Sequence, residues 1–296
     1  MTIVELLASN PTVFIAIVFV FSLLIGSFLN VVIYRLPVMM QNEWKIEAAL
    51  IEERDPPTFP TFNLMVPRSR CQQCGHQITA LENVPVISYL VLRGRCSSCK
   101  TKISIRYPLV ELATAVLAAM AAWRFGFGIE GIAAVLLTYA LVALSMIDFD
   151  HQLLPDSIVM PFLWFGLLLS LTHGLENADV LLIEPGAAIV GAVVGYLSLW
   201  SVSMLYKLVR GRHGMGHGDF KLLSLFGAWL GASKLPIIIL LSAGVGSIVG
   251  LTMIIFLGRD KQIPIPFGPY LAAAGWLAMI AGDSLIAWYS TTFLPS

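Results

Sequence analysis

Charge is scarce in this chain. Lysine plus arginine number 18 and aspartate plus glutamate 18, so only 12% of 296 residues are charged and the net charge is zero, while 57% are hydrophobic and the mean hydropathy is +0.83. Such a shortage excludes a soluble domain of ordinary composition. No Lys/Arg block runs long enough to suggest a nucleic-acid partner, so the lipid bilayer is the expected surroundings instead. Met1 to Asn10 lacks the basic n-region and small-residue cleavage site of a secretory signal, and the apolar stretch behind it is long enough to span; it reads as retained. A Rossmann-type glycine fingerprint is missing, and so is any inverted repeat of the transporter kind. Cysteine is rare as well, with four residues confined to one stretch.

What is present is a series of apolar segments. Measured against the roughly 20 residues that a hydrocarbon core requires, spans fall at 12–34, 107–123, 131–148, 157–173, 187–209, 236–257 and 267–289, with a shorter, glycine-interrupted one at 220–233. The fold class is therefore an all-α polytopic membrane protein of about eight transmembrane helices, one of them short. With the N-terminus outside, 16 of the 18 basic residues lie inside: ten in 35–106, four in 207–221 and two in 258–266. Only Arg124 and Lys234 remain outside, where the loop at 174–185 carries Glu176, Asp179 and Glu184. Positive-inside bias fixes that orientation. The domains expected are 1–34, a first transmembrane helix; 35–106, a small cytoplasmic domain; and 107–296, the remaining membrane body. Glycines four apart, at 191 and 195, 227 and 231, and 246 and 250, predict close helix packing in lipid.

The insertion at 35–106 holds Cys71-Gln-Gln-Cys74 and Cys96-Ser-Ser-Cys99. Two such knuckles place four thiolates at the corners of a tetrahedron, and a small domain with little core gains folding energy from the metal. Four cysteines leave no open position, so zinc here is structural. Two disulfides are the competing reading, disfavoured by a reducing cytoplasm. His76 reads as a solvated loop histidine ahead of a substitute ligand.

Ionisable groups at a membrane boundary are costly, and function is the default explanation. Three regions qualify: Met146-Ile-Asp148-Phe-Asp150-His151-Gln-Leu-Leu-Pro155-Asp156, Gly214-Met-Gly216-His217-Gly218-Asp219-Phe-Lys221, and Glu111. The first two face one membrane surface in this topology, so Asp148 and Asp219 can meet. Close carboxylates do not both ionise easily and share a proton; one acts as general base on water while the other polarises a scissile carbonyl. Gly216 and Gly218, with Gly214, are expected to let backbone approach a substrate and adopt conformations closed to other residues, and Lys221 completes the supporting loop. Asp219 could also cap the helix that follows. Asp150 and Asp156 read as a solvated turn around Pro155, and His151 and His217 as boundary histidines in preference to metal ligands. Glu111 is expected to meet a buried partner or a cationic substrate group.

At these residues the sequence resembles the type IV prepilin leader peptidases, which also N-methylate the new pilin terminus. The resemblance extends almost end to end, through Gly26-Ser-Phe-Leu-Asn-Val-Val-Ile-Tyr-Arg-Leu-Pro37, both cysteine pairs, Arg106-Tyr-Pro-Leu-Val-Glu111, the Asp148 to Asp156 run, Gly-His-Gly-Asp219 and Pro266-Phe-Gly-Pro-Tyr270. It implies an inner-membrane aspartic protease of the GxGD type with Asp148 and Asp219 as the catalytic pair. Its substrates would be prepilins and type II secretion pseudopilins, cut on the cytoplasmic side after a glycine and usually before a phenylalanine. The methyl donor would be S-adenosylmethionine, and members with the cysteine pairs carry zinc. Two other classes compete: an ion-coupled transporter, whose acids should sit near the bilayer midplane, and a secretion-apparatus scaffold, which should tolerate Asp-to-Asn changes.

Overall fold

Long apolar runs fold as helices wherever backbone groups cannot reach water, and here they do so even across Pro37 and Pro161. The computed structural model describes residues 2–174, 181–211, 214–258 and 265–293. Among them are ten α-helices and no strand, only two isolated bridges. Glu176, Asp179, Arg212, Arg259 and Lys261, which entered the charge count above, lie outside the described residues. Contacts divide the chain into two compact units that meet between Trp123 and Arg124.

The first unit opens with α1 (Ile3–Ser9), closed by a reciprocal capping box between Thr2 and Glu5. Then comes α2 (Pro11–Ile51), which continues well past the predicted span end at 34. Residues 38–51 are polar enough to read as the start of a loop-rich insertion. They are nevertheless rich in Met, Gln, Glu, Lys and Ala, all good helix formers with no glycine or proline to stop them. The insertion that follows contains a short α3 (Ile87–Val91) and leads into α4 (Arg106–Phe125). Buried Arg35 fastens α2 to it, donating from Nη1 to the Asn63 carbonyl at 2.8 Å and from Nη2 to that of Pro67 at 2.6 Å. Where Gly26 of α2 faces α4, a Cβ would stand 2.7 Å from the Glu111 Cα.

The second unit comprises α5 (Ile129–His151), α6 (Asp156–Ser170), α7 (Pro185–Arg210), α8 (His217–Leu230), α9 (Leu235–Leu257) and α10 (Gly268–Phe293). From Leu222 onward α8 is apolar on nearly every side and buried on every side: α6, α7, α9 and α10 all pack on the helix. Its 14 residues span about 21 Å, short of a hydrocarbon core. Gly191 on α7 and Gly227 on α8 meet backbone to backbone, and a Cβ on either would come within 2.2 Å of the other's carbonyl oxygen. Ser224 Oγ donates across the same seam to the Ala192 carbonyl at 2.8 Å. By contrast, Gly246 and Gly250 of α9 do not admit a helix backbone: the first faces the Tyr270 ring and the second the Ile265 Cδ1. The small-residue spacing is the same, but its use differs.

Among the described residues, five helices have the length and composition to cross a membrane: α2, α4, α5, α7, and α9 with the turn before it. The apolar α6 is shorter. The protein is thus a multi-pass membrane protein, nearly all helical. Glu130, which the sequence reading passed over, lies buried at the start of α5 and accepts the Leu181 and Leu182 amides at 2.6 and 2.9 Å. Arg124 and Lys234, the two bases assigned outside, are both tied to α10: Arg124 Nε donates to the Ile280 carbonyl at 3.0 Å, and Lys234 pairs with Asp283.

Candidate active site and candidate metal centre

Asp148 sits in the last turn of α5. The helix stops four residues later, where Gln152 takes a left-handed conformation and its N–H closes onto the Asp148 carbonyl at 2.9 Å. Asp219 is the third residue of α8. The two carboxylates, 71 residues apart in sequence, are 5% and 8% exposed, and Asp219 lies close enough to feel the Asp148 charge. Neither is left without a donor. The Gly268 N–H donates to Asp148 Oδ2 at 2.9 Å, and the Gly216 N–H donates to the Asp219 carboxylate.

Asp219 is not the N-cap of α8, as the sequence allowed; that position belongs to Gly216, and Asp219 reaches back to it from the third helical position. This is the carboxylate half of a capping box. A second correction concerns the glycine loop. None of Gly214, Gly216 and Gly218 adopts a left-handed backbone. Two of them make room for side chains of the protein itself: a Cβ on Gly214 would strike the Tyr206 ring at 2.7 Å, and one on Gly218 the Leu154 Cβ at 2.8 Å. Leu154 also abuts Gly268, where a Cβ would lie 2.6 Å from Asp148 Oδ2 and 3.1 Å from Leu154 Cδ2. Gly218, Leu154 and Gly268 thus form a continuous wall behind the two acids. Gly268 lies within the Pro266 to Tyr270 motif, but a backbone donor has no signature of its own in sequence.

Asp156, expected in a solvated turn, is the first residue of α6, and Lys221 Nζ meets its oxygens at 2.8 and 2.6 Å. Because Lys221 follows Asp219 by two residues, the pair fastens α8 to α6 beside the acids. A cavity of about 290 Å³ opens at the C-terminal end of α5, lined in part by Phe149, Asp150, His151, Met253, Ile265 and Tyr270. His217 packs its ring against Phe220. Glu111 has found internal partners in the first unit: the Val86 amide at 2.8 Å and the Ser27 side chain.

The cysteines form the second centre. The two knuckles are built alike: the Cys71 amide donates to the His76 carbonyl at 2.8 Å, and the Cys96 amide to that of Thr101 at 2.9 Å. All four Sγ atoms lie within 4.8 Å of one another, and Cys71 and Cys99 are 3.8 Å apart across the pairs. Zn–S bonds of about 2.3 Å in a tetrahedron require S···S edges of about 3.8 Å. The donor set therefore fits a tetrahedral thiolate-bound metal ion. The Cys74 and Gln73 amides hold the Cys71 thiol below its ordinary range, and the Thr101 hydroxyl and amide bring Cys99 down to about 6, whereas the His76 amide is outweighed at Cys74 by desolvation and the neighbouring sulfurs, which push that thiol up to about 11; the thiolate is the form that ligates, so a metal ion would itself have to draw the proton from Cys74. His76 stands behind the cluster rather than in it, 3.2 Å from both the Glu82 carboxylate and Ser97 Oγ. Among the described residues no other group of three or more His, Cys, Asp or Glu converges in this way.

Comparison with known proteins adds a family. The model of the bacterial peptidase A24 N-terminal domain matches residues 20–125, and that of the type IV leader peptidase family matches 135–251. A prepilin leader peptidase/N-methyltransferase of Stutzerimonas stutzeri is 53% identical over 290 residues, 98% of each chain. Proteins of the same description from Aeromonas hydrophila and Pseudomonas aeruginosa are 50% and 51% identical, covering 99% and 98% of each chain. No solved structure gives a match.

Proposed function

Because the chain belongs to the type IV leader peptidase family, we propose that it cleaves the leader peptide of type IV prepilins and type II secretion pseudopilins, with Asp148 and Asp219 as the catalytic pair, and then N-methylates the new terminus. The observation that carries this reading is the convergence of two buried carboxylates from α5 and α8, one of them gripped by the Gly268 amide. One ionised carboxylate takes a proton from water, whose oxygen forms a bond to the scissile carbonyl carbon. The other, protonated, donates a hydrogen bond to the carbonyl oxygen. As the C–N bond breaks, a proton passes to the leaving amine. The Gly268 and Gly216 amides hold the two acids in place, and the Asp156–Lys221 pair together with Gly216 and Gly218 supports the wall around them.

Cys71, Cys74, Cys96 and Cys99 hold a structural zinc ion in this reading, and S-adenosylmethionine supplies the methyl group. In the bacterial inner membrane the chain crosses about eight times, counting α6, α8 and α10 with the five spans named above. The N-terminus faces the periplasm, and the zinc-bearing domain and both acids face the cytoplasm; the distribution of basic residues supports this orientation. The domain division of 1–34, 35–106 and 107–296 belongs to the same reading.

The test is leader cleavage by purified Asp148→Asn and Asp219→Asn proteins in detergent. Each should lose at least about 10²–10⁴-fold in rate with little change in thermal unfolding. Near-normal cleavage by either would return the pair to the scaffold interpretation. Methylation of a pre-cleaved pilin peptide by the same variants separates the two activities.

A further inference from the structure

Between residues 56 and 105 the insertion carries six basic residues, Arg68, Arg70, Arg93, Arg95, Lys100 and Lys102, against a single acid, Glu82. A divalent ion held by four thiolates would return only about two negative charges. A cationic surplus remains, and it is not spread evenly. Arg93, Arg95 and Lys100, with Val91 and Leu92, line a cavity of about 420 Å³. Neither guanidinium there has an acid or hydrogen-bond partner among the described residues, and the Lys100 ammonium makes one bond, to the Ser97 carbonyl at 2.9 Å.

Backbone conformation points the same way. Lys100 occupies in the second knuckle the position that Gly75 holds in the first: both are left-handed, at φ 60° and 73°, and both donate to the carbonyl of the first cysteine of their pair. Arg93 is left-handed too, at φ 52°. That region disfavours every residue with a Cβ, so glycine would be the less strained choice at 100, and lysine supplies a charge that glycine cannot.

Beside these cations α3 presents an apolar face. Ile87, Leu90 and Val91, spaced i, i+3 and i+4 so that they lie together, are 60%, 67% and 74% exposed. An apolar patch rimmed by charge marks an interaction surface. Its neighbourhood indicates which one. The insertion is continuous at both ends with helices that have the length and composition to cross the bilayer, and Ile105, directly before α4, is itself 62% exposed. Apolar side chains flanked by cations are the pattern that binds anionic membrane surfaces.

We propose that this face is a foot on the headgroup layer. Ile87, Leu90 and Val91 enter the interface, and the cavity between Arg93, Arg95 and Lys100 takes the phosphate of an anionic phospholipid. A cationic sulfonium cosubstrate would meet three like charges at the same place, and an acidic peptide would leave the apolar face uncovered.

The test uses the full chain with p-benzoylphenylalanine at position 90, reconstituted into bilayer discs of phosphatidylcholine containing about one-third phosphatidylglycerol, the anionic lipid on which the polybasic attraction depends. Adducts are identified by intact mass after illumination. The proposal expects lipid adducts enriched in phosphatidylglycerol over its share of the bilayer. Arg93→Gln/Arg95→Gln should reduce the enrichment at least about fivefold, with metal content measured to show that the cysteine knuckles remain folded. Raising salt from about 0.1 to 0.5 M should reduce it without any substitution. Adducts at the bulk lipid ratio that ignore charge and salt would overturn the proposal, as would adducts to protein or methyl donor alone, or no adduct at all.

Discussion

The contact between Gly191 and Gly227 sets where Asp219 stands, and Gly227→Ala tests this. The added Cβ would lie 2.0 Å from the Gly191 carbonyl oxygen and 2.3 Å from its carbon. Both are backbone atoms and cannot swing aside, so α7 and α8 must separate by roughly 1.4 Å to restore an ordinary contact of about 3.4 Å. Overpacking of this size costs about 1–3 kcal/mol, partly offset by the advantage of about 1 kcal/mol that alanine has over glycine inside a helix. Stability should therefore change modestly. Activity should not. Asp219 lies eight residues up the same helix, about 12 Å away, and a misplacement of about 1 Å in a reacting group costs on the order of 10²-fold. The assay compares prepilin cleavage rate with the thermal unfolding midpoint, using Gly244→Ala as control, since a Cβ there meets nothing within 4 Å. The expected outcome is a loss near 10²-fold with a small change in melting for Gly227→Ala, and neither for the control. Wild-type cleavage by Gly227→Ala would refute the claim that the α7–α8 spacing positions the acid.

Three further outcomes are expected. Gly268→Ala keeps the N–H that binds Asp148 but places a Cβ 2.6 Å from its Oδ2; kcat should fall by about 10-fold or more with KM little changed, and steady-state kinetics on a peptide substrate would expose the opposite split. Cys71→Ser/Cys74→Ser should abolish metal binding, measured by elemental analysis, and unfold the insertion by proteolysis, because structural zinc supplies about 10–16 kcal/mol of apparent binding energy in isolated fingers; an insertion that stays protease-resistant without metal argues against the structural role. Lys221→Met should slow cleavage while changing stability by no more than about 1 kcal/mol, since the Asp156–Lys221 pair is partly solvated. Swapping the charges in Asp156→Lys/Lys221→Asp should recover part of the lost rate, and a swap no better than the single variant would remove the pair from any positioning role.

Sequence reading succeeded where side-chain chemistry alone decides the outcome. Apolar runs locate spans because lipid tolerates little else, and each of the eight predicted segments coincides with a helix. Four cysteines in two pairs announce a cluster whatever the fold around them. The reading faltered where one residue type serves several ends. Glycine is the clearest case: at 191 and 227 it admits a backbone, at 246 and 250 side chains, and at 214 and 218 a tyrosine and a leucine, with the strained backbone expected in the 214–218 loop not found. Backbone groups escaped it too, since the Gly268 amide that holds Asp148 belongs to every non-proline residue. Glu130 and Glu111 show the converse: both are boundary acids of the sort that suggests function, and each is engaged by amides of its own unit. The end of α2 was missed because residues 38–51 are polar enough for a loop, and their helix-forming composition carries no apolar run to mark a continued helix.

The 41 residues of α2 make a rod of about 61 Å, twice the thickness of a hydrocarbon core. The insertion is joined to this post at two places, where the chain leaves Ile51 and where Arg35 holds the Asn63 and Pro67 carbonyls, so the two attachments must keep one register. Adding or removing one residue between them would turn one attachment against the other by roughly 100°. Tolerance to length changes between 38 and 50 should accordingly rise and fall with the helical repeat, and losing seven residues, close to two full turns, should be easier to bear than losing two.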